Sequence, residues 1–266
     1  MRKPLLVIKL GGSAVTDRSH IYTPRIIVLA QAAKQVAEIA KKHSVVLVHG
    51  AGSYGHIPVT EYGLARGFKS AKQLRGLTVT KSKLLEWEAI CDQVFVEHRI
   101  PVVPCVASDF IIAKRGRIIS VQLNSLKGWL RLGCVPTMGG DIVPDAETGF
   151  SIVSGDQLAA CIATKLKASK LIFGTDVDGI FNANPKLDQK AALLRELTPS
   201  DARRLAKNAM TTTYPDVTGG MGGKMHEAAA AASRGVNVYF VNLTKGTRLL
   251  KAAFGQRVLC SRIRAS

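Results

Sequence analysis

The chain has 266 residues, of which 47% are hydrophobic and 21% charged, a composition that excludes a disordered chain and is sufficient for one large domain. Its longest apolar runs have the length of a strand and fall far short of the roughly 20 residues that a membrane helix needs. The first residues resemble a signal peptide, but Lys9 ends the apolar run after about five residues, fewer than the roughly 7–15 of a secretory core. We therefore expect a soluble, cytoplasmic protein.

The chain is strongly basic, with 37 Lys and Arg against 19 Asp and Glu and a formal net charge of +18. A field of this sign attracts anions from small phosphates to nucleic acid, so charge alone does not identify a partner. The basic residues form no long run and are not interleaved with aromatic residues, unlike those of a nucleic-acid binder that stacks bases. Five scattered cysteines without a CxxC pair argue against a disulfide framework and against a zinc site.

Predicted strands alternate with predicted helices along the chain. Apolar runs predict strands at 4–10, 44–49, 100–106, 133–137, 170–173 and 236–241, and helical spacing predicts helices at 23–40, 71–98, 155–166 and 221–234. The Pro- and Gly-rich stretch 136–149 is typical of a hairpin. No repeat or linker divides the chain. The pattern predicts the α/β class, an open αβα sandwich with a mostly parallel central sheet, as a single domain over 1–266.

Two of three glycine-rich loops contain a lysine suited to phosphate. In the first, Lys9-Leu10-Gly11-Gly12-Ser13, the glycines let backbone N–H groups approach an anion, which the Lys9 ammonium can also reach. The third runs from Asp216 to Lys224, at the start of an alanine-rich helix. It is not a P-loop, because Thr218 and Met225 stand where that motif requires Gly and Ser or Thr. A flexible loop with a solvated lysine is the alternative interpretation.

The second loop, His49-Gly50-Ala51-Gly52-Ser53-Tyr54-Gly55-His56, contains the GxGxxG pattern of dinucleotide-binding sites. Such a site also needs an acidic residue about 20 positions later, for the ribose. The stretch near 70–75 has none, so NAD is excluded and NADP would depend on Lys72 or Arg75. The sequence favours another phosphate, held by N–H groups at the start of a helix and by His56. A capping or surface role for this histidine stays open.

Two acidic segments complete the candidate site. Asp156, in Ser154-Gly155-Asp156-Gln157, opens a helix and either caps its backbone N–H groups or orients the lysines. Asp176 and Asp178 follow a predicted strand, which places them at the carboxyl edge of the sheet, where open α/β folds bind ligands. The alternative for the second segment is a plain turn, since Asp-Gly is a turn dipeptide.

Taken in order, KLGGS at 9–13, SGDQLAA at 154–160, GTDVDGIF at 174–181 and DVTGGMGGK at 216–224 resemble the amino acid kinase family over nearly the whole chain. HGAGSYGH at 49–56 is similar to the loop of that family's isopentenyl phosphate kinases, where a histidine binds the acceptor's phosphate. The resemblance implies an open αβα sandwich, usually a homodimer, that uses ATP with Mg²⁺ to phosphorylate isopentenyl phosphate. It also implies an acceptor lobe over about 1–150 and a nucleotide lobe over about 151–266.

The resemblance implies a role for each matching residue. Lys9 and Lys224 flank the transferring phosphoryl group, Asp156 holds both lysines, and His56 donates to the acceptor phosphate, so these four are the expected catalytic residues. The residues expected at ATP are Lys9, Gly11, Gly12, Ser13, Arg18, Asp176, Asp178, Gly179, Phe181, Pro185, Gly222 and Lys224, with Lys186 nearby and Asp216 bracing the third loop. Those expected at the acceptor are Gly50, Ala51, Gly52, His56, Gly155 and Leu77. No side chain is expected to hold the metal, because the phosphates carry it.

Two positions depart from the family pattern. Arg18 stands where the family usually has lysine, which keeps the charge but changes the geometry of the phosphate contact. Leu77 stands where an aromatic residue is common, which predicts a roomier pocket and better tolerance of longer prenyl phosphates.

Alternatives to this function stay open. Fosfomycin kinases have a similar second loop, so the acceptor could be another small phosphate or phosphonate. A non-catalytic, ligand-sensing nucleic-acid binder is a further alternative, against which stand the lysine–aspartate–lysine set and the lack of an appended DNA-binding motif. We expect no membrane or nucleic-acid partner.

Overall fold

The structure, a computed structural model, describes residues 3–17, 20–185, 187–210 and 220–265. The strands are β1 (Leu5–Leu10), β2 (Ser44–His49), β3 (Val102–Pro104), β4 (Ile111–Lys114), β5 (Arg117–Val121), β6 (Val135–Gly139), β7 (Asp141–Asp145), β8 (Gly149–Val153), β9 (Lys170–Thr175), β10 (Ile180–Phe181), β11 (Leu193–Leu194), β12 (Glu196–Leu197), β13 (Asn237–Asn242) and β14 (Ser261–Ile263). The helices are α1 (Gly12–Val15), α2 (Ile26–Lys42), α3 (Ser53–Glu61), α4 (Gln73–Glu97), α5 (Asn124–Leu132), α6 (Gly155–Lys165), α7 (Pro199–Met210), α8 (Gly220–Ala232) and α9 (Arg248–Ala253). None of these helices combines the length and the apolarity that crossing a bilayer requires.

Eight strands form the central sheet, in the order β12-β14-β13-β9-β1-β2-β6-β3. Its neighbouring strands are parallel, except that β13 and β14 are antiparallel. In the middle of the sheet, Leu10 of β1 is opposite His49 of β2 and Gly174 of β9. The segments that follow these three strands therefore lie side by side at the carboxyl edge of the sheet.

Apolar side chains cover both faces of this sheet. Alternate residues of β1 point to opposite faces, because successive side chains of a strand do so. Leu6 and Ile8 pack in a cluster with residues of α2, α4 and α9, whereas Val7 packs in a second cluster with residues of α6, α7 and α8. Helices thus lie on both faces, and the predicted open αβα sandwich with a mostly parallel central sheet is confirmed.

The predicted strands and helices are present, most with shifted ends, and the structure adds elements that were not predicted, among them β4, β5, α5 and α7. Strand β2 has the predicted bounds, but β6 begins at Val135 rather than at 133. Gly133 has a φ of +87° and forms the left-handed cap of α5, so it is not part of the strand. The predicted hairpin near 136–149 is β7–β8, which joins β4 and β5 in a separate four-stranded sheet. The five cysteines are free thiols in the structure.

Candidate active site

Two lysines share one buried carboxylate at the carboxyl edge of the sheet. The Nζ atom of Lys9, near the end of β1, lies 2.7 Å from Oδ1 of Asp156 in the first turn of α6. The Nζ atom of Lys224, from α8, lies 2.9 Å from Oδ1 and 2.8 Å from Oδ2 of the same carboxylate. Lys9 and Asp156 are only 4% and 6% exposed. The structure thus brings together three of the four residues predicted to be catalytic.

The charges of this group are unequally stabilised. Burial favours the neutral form of Asp156, but the positive charges of Lys224 and Lys9 outweigh it and hold the pKa of this carboxyl at about 2. Burial lowers the pKa of Lys9 to about 8, because the attraction of Asp156 is partly cancelled by the repulsion of Lys224. The site therefore contains a firmly ionised carboxylate and an ammonium group that loses its proton unusually easily.

The first and second glycine loops are in direct backbone contact beside Lys9. A Cβ atom on Gly50 would lie 2.5 Å from the backbone nitrogen of Gly12, and one on Gly12 would lie 2.8 Å from that of Gly52. A Cβ atom on Gly155, at the start of α6, would lie 2.9 Å from the carbonyl oxygen of His49 and 3.4 Å from Cε of Lys9. Glycine at these positions is what lets three backbone segments meet around one ammonium group.

Several backbone N–H groups at the same edge have no acceptor among the described residues. They belong to the first residues of α1, α3 and α6 and to the residues just before α3. Within the described part of the chain, no backbone or side-chain acceptor is found for the N–H groups of Gly12, Ser13, Ala51, Gly52, Ser53, Gly155 and Asp156. Free N–H groups at helix starts, aligned with the helix dipole, form a ready site for anions. The arrangement can therefore hold several phosphate groups at once.

His56 lies in the first turn of α3, on the second loop, and is half-buried. Its backbone N–H donates to the carbonyl oxygen of Gly52 at 3.1 Å, which fixes the start of the helix. His56 therefore lies about one helical turn from Ala51 and Gly52. A histidine can donate to an anion, and a contact of this imidazole with the acceptor stays a prediction.

A small cavity adjoins Ala51 of the second loop. Helix α4 contributes Lys81, Leu84 and Leu85 to its wall. Leu77, which we predicted at the acceptor, lies about one turn earlier in α4 and packs against a small cluster of Val59, Leu64, Ile142 and Phe150. The wall that the structure places beside the loop is therefore formed by later residues of α4, and a role for Leu77 stays a prediction.

Two buried polar groups of this region were not predicted. The Nζ atom of Lys81 lies 2.7 Å from both carboxylate oxygens of Asp141 and donates to Oγ of Ser108 at 2.8 Å. Nε2 of His49 lies 3.3 Å from Oε1 of Glu88. Neither atom has a hydrogen-bond partner among the described residues. The interruption of α4's apolar spacing by Lys81 was the available signal for the first group, but the sequence does not identify its partner.

The segment after β9 supplies the residues predicted to line a nucleotide. Ser13 of the first loop donates to Oδ1 of Asp176 at 3.1 Å, so these two predicted residues meet. Oδ1 of Asp178 accepts hydrogen bonds from Asn242 at 2.8 Å and from Arg248 at 2.7 Å. This carboxylate therefore anchors its loop to β13 and α9, and a contact of its own with ATP stays a prediction.

The other predicted nucleotide residues are distributed around this segment. Gly179 has a φ of +153°, and a Cβ atom there would lie 2.5 Å from Oγ of Ser261, so the position requires glycine. Phe181 pairs with Leu193 across a short ladder, and Pro185 lies in the turn that follows. Gly11 donates to the carbonyl oxygen of Gly174 at 2.8 Å, and Gly222 is buried in α8. Arg18, Lys186 and Asp216 lie outside the described residues.

Known proteins are similar to this chain in sequence and in fold. A model of the amino acid kinase family matches residues 4–242. The isopentenyl phosphate kinase of Methanothermobacter thermautotrophicus is 33% identical over 97% of this chain and 98% of its own length, and that of Thermoplasma acidophilum is 30% identical over 90% and 91%. A solved X-ray structure of an isopentenyl phosphate kinase, 29% identical, superimposes with a TM-score of 0.84 over 97% of this chain and 99% of its own. With its two lysines on one carboxylate and the family match over most of its length, the chain belongs to the amino acid kinase family.

Proposed function

We propose that this chain is an isopentenyl phosphate kinase, which transfers the γ-phosphoryl group of ATP to isopentenyl phosphate and releases isopentenyl diphosphate and ADP. The observation that carries the proposal is the pair of ammonium groups, Lys9 and Lys224, held on Asp156 beside a glycine loop that bears His56. The similarity to isopentenyl phosphate kinases over nearly the whole length of both chains supports the choice of acceptor.

The acceptor's phosphate is proposed to bind the free N–H groups of Ala51, Gly52 and Ser53 together with His56. Gly50 and Gly155 let the surrounding backbone approach closely. A phosphate is already an anionic nucleophile near neutral pH, so the reaction requires positioning and charge stabilisation rather than a general base. This requirement agrees with a site that is rich in N–H groups and ammonium groups.

Lys9 and Lys224 are proposed to stabilise the negative charge of the transferring phosphoryl group from two sides. Asp156 does not contact the substrates in this proposal. It keeps both ammonium groups in place, at 2.7 Å and 2.8 Å from its oxygens. Charge arranged in advance in a dry site needs no reorganisation during the reaction and contributes strongly to catalysis.

The nucleotide is proposed to lie along the first loop and the segment 176–185, in a nucleotide lobe over about 151–266 that faces an acceptor lobe over about 1–150.

Mg²⁺ fits this donor set as an ion carried by the ATP phosphates. Asp156 is occupied by two lysines, and no group of three or more metal-ligating side chains lies in the described part of the chain. When bound, Mg²⁺ neutralises charge on the β- and γ-phosphates. A cytoplasmic homodimer, implied by the resemblance to the amino acid kinase family, completes the proposal.

Phosphorus NMR of the purified protein with MgATP and isopentenyl phosphate, run beside fosfomycin, tests the proposed function. We expect new diphosphate signals and ADP with isopentenyl phosphate only. Turnover of fosfomycin alone would assign the same site to another acceptor. Absence of turnover with both would refute the acceptor assignment and leave a non-catalytic, ligand-sensing role.

Truncation of His56 to alanine should reduce kcat/KM for the acceptor roughly 30- to 900-fold, because a donor to the acceptor phosphate is lost. This corresponds to an increase of about 2–4 kcal/mol in the activation free energy. Steady-state kinetics at varied isopentenyl phosphate measure the effect. His98, which follows the C-terminal end of α4, is the matched control, and His98→Ala should leave kcat/KM within about threefold. Equal losses in both variants would contradict the role of His56.

The pH dependence of kcat/KM should report the proton of Lys9. Burial lowers the pKa of this ammonium group to about 8, so the free enzyme loses the charge as the pH rises above that value. We expect kcat/KM for MgATP to fall about tenfold per pH unit there, while kcat falls later, because bound phosphates stabilise the ammonium form. Lys9→Arg should abolish this decline up to about pH 10, since a guanidinium group stays charged. An unchanged profile in Lys9→Arg would show that another group titrates.

A further inference from the structure

The second loop can bind a phosphate only if its N–H groups face the ligand and its carbonyl groups face elsewhere. The carbonyl oxygen of His49 accepts from the N–H of Gly140, that of Ala51 from Tyr54, and that of Gly52 from His56, and these donors are all backbone groups. The carbonyl oxygen of Gly50 differs from the others. It accepts from the indole Nε1 of Trp87, on α4, at 2.9 Å.

The hydrogen bond from Trp87 also fixes the direction of the next N–H group. In a trans peptide the carbonyl of one residue and the N–H of the next point in opposite directions. The described residues contain no cis peptide bond. When the indole holds the Gly50 carbonyl on the side of α4, the N–H of Ala51 must point to the opposite side. This is one of the N–H groups for which the structure shows no protein acceptor.

Trp87 is itself held firmly. It is fully buried, its indole stacks on the ring of Tyr54 with centroids 5.1 Å apart, and the imidazole of His49 meets it edge-on at 5.9 Å. Tyr54 in turn donates from its hydroxyl to the carbonyl oxygen of Tyr22 at 2.7 Å. The peptide between Gly50 and Ala51 follows a glycine, whose backbone torsions are weakly restrained. The rigid side chain therefore supplies the restraint that the loop sequence lacks.

We propose that Trp87 is a positioning residue of the acceptor-phosphate subsite: by holding the Gly50 carbonyl, it orients the N–H of Ala51 toward the acceptor phosphate. The inference rests on the proposed function, since it concerns the same subsite. Without the indole donor, the Gly50–Ala51 peptide can rotate and present its carbonyl to the phosphate, which repels it. The indole thus acts through the loop and touches neither substrate.

Trp87→Phe tests the inference, because phenylalanine keeps an aromatic ring against Tyr54 and removes the donor. We expect KM for isopentenyl phosphate to rise about tenfold or more, as for a buried carbonyl that loses its partner, while KM for MgATP and kcat at saturation stay within about threefold. Trp129→Phe, on α5, is the matched control. It makes the same exchange away from the loop and should leave KM for the acceptor within about threefold.

A second measurement keeps the inference testable if Trp87→Phe does not fold. The sequence has two tryptophans, and Trp129→Phe on α5 leaves Trp87 as the single fluorophore. Isopentenyl phosphate should then shift the emission of Trp87, and an ATP analogue alone should shift it much less. An unchanged KM in Trp87→Phe, a parallel loss of kcat and both affinities, or an unresponsive Trp87 would overturn the inference. If the parent protein does not phosphorylate isopentenyl phosphate, the proposed function fails instead.

Discussion

Replacement of Lys224 by methionine should lower kcat for phosphoryl transfer about 10³-fold or more, while KM for the acceptor changes little. A single cation placed on the transferring phosphoryl group contributes about 10³–10⁵ to the rate in related chemistry. Methionine keeps an unbranched apolar side chain but lacks the ammonium group, whose Nζ lies 5.6 Å over the ring of Phe173. The change therefore removes the charge with little loss of apolar volume. Release of ADP, measured under saturating MgATP and isopentenyl phosphate, gives kcat directly.

Lys170 is a matched control for Lys224. It is the first residue of β9, so it lies at the end of the strand away from the candidate site. Lys170 is also partly buried, and its ammonium group donates to the carbonyl oxygens of Ala252 and Ala253 at 2.9 Å and 2.7 Å. Lys170→Met should lower stability and leave kcat within about threefold. If Lys224→Met retains more than a tenth of the parental kcat, the ammonium group of Lys224 does not act on the phosphoryl group.

Asp156→Asn should cost about 3–5 kcal/mol of unfolding free energy near neutral pH and also lower kcat, because two buried ammonium groups lose their common counter-charge. The stability effect should depend on pH. The pKa of Asp156 is lowered to about 2, so its contribution is fully present above the ordinary aspartate pKa and is lost as the pH falls through about 2. Denaturant unfolding at pH 7 and at pH 2 measures this dependence, and the difference between parent and variant should be much smaller at the lower pH.

Asp145 provides the comparison for a buried aspartate outside the site. Its carboxylate, in β7, accepts hydrogen bonds from the N–H groups of Gly116, Glu147 and Thr148. Asp145→Asn should destabilise the protein and leave kcat nearly unchanged. In Asp156→Asn, adding Lys9→Met removes one of the unpaired charges and should recover part of the stability but none of the activity. Recovery of activity in the double variant would contradict the roles of both residues.

The parts of the site that could be predicted are those that follow strands of the central sheet. The first two glycine loops, Asp176 and Asp178 could be placed at one edge, because the carboxyl ends of parallel strands meet there. The helix-start pattern placed Asp156 in the first turn of a helix, as observed. The convergence of Lys9, Asp156 and Lys224 came from the family resemblance, and the structure brings the three together.

The parts that could not be predicted depend on contacts between distant side chains. Gln157, next to Asp156, accepts from the N–H of Ile118 at 2.8 Å and donates to the carbonyl of Gly116 at 3.0 Å, so it fixes the β4–β5 hairpin. Nothing in the sequence of that hairpin identifies Gln157 as its partner. Asp178 likewise lies in a segment whose sequence predicts a ligand-binding turn, yet its carboxylate accepts a hydrogen bond from Arg248. Local sequence indicates which groups are polar, but the fold decides what they meet.

The central position of β1 also constrains how the protein is made. Its Leu6 is opposite Val45 of β2 on one side and Lys170 of β9 on the other. During synthesis β2 becomes available early, but the second edge of β1 stays unpaired until more than half of the chain has left the ribosome. The unpaired backbone N–H and C=O groups of an open strand edge can pair with other chains, and contacts of long sequence separation form slowly. A nascent chain that stops before β9 therefore leaves the strand that carries Lys9 without its neighbour, and no such fragment can assemble the edge at which we propose that the phosphates bind.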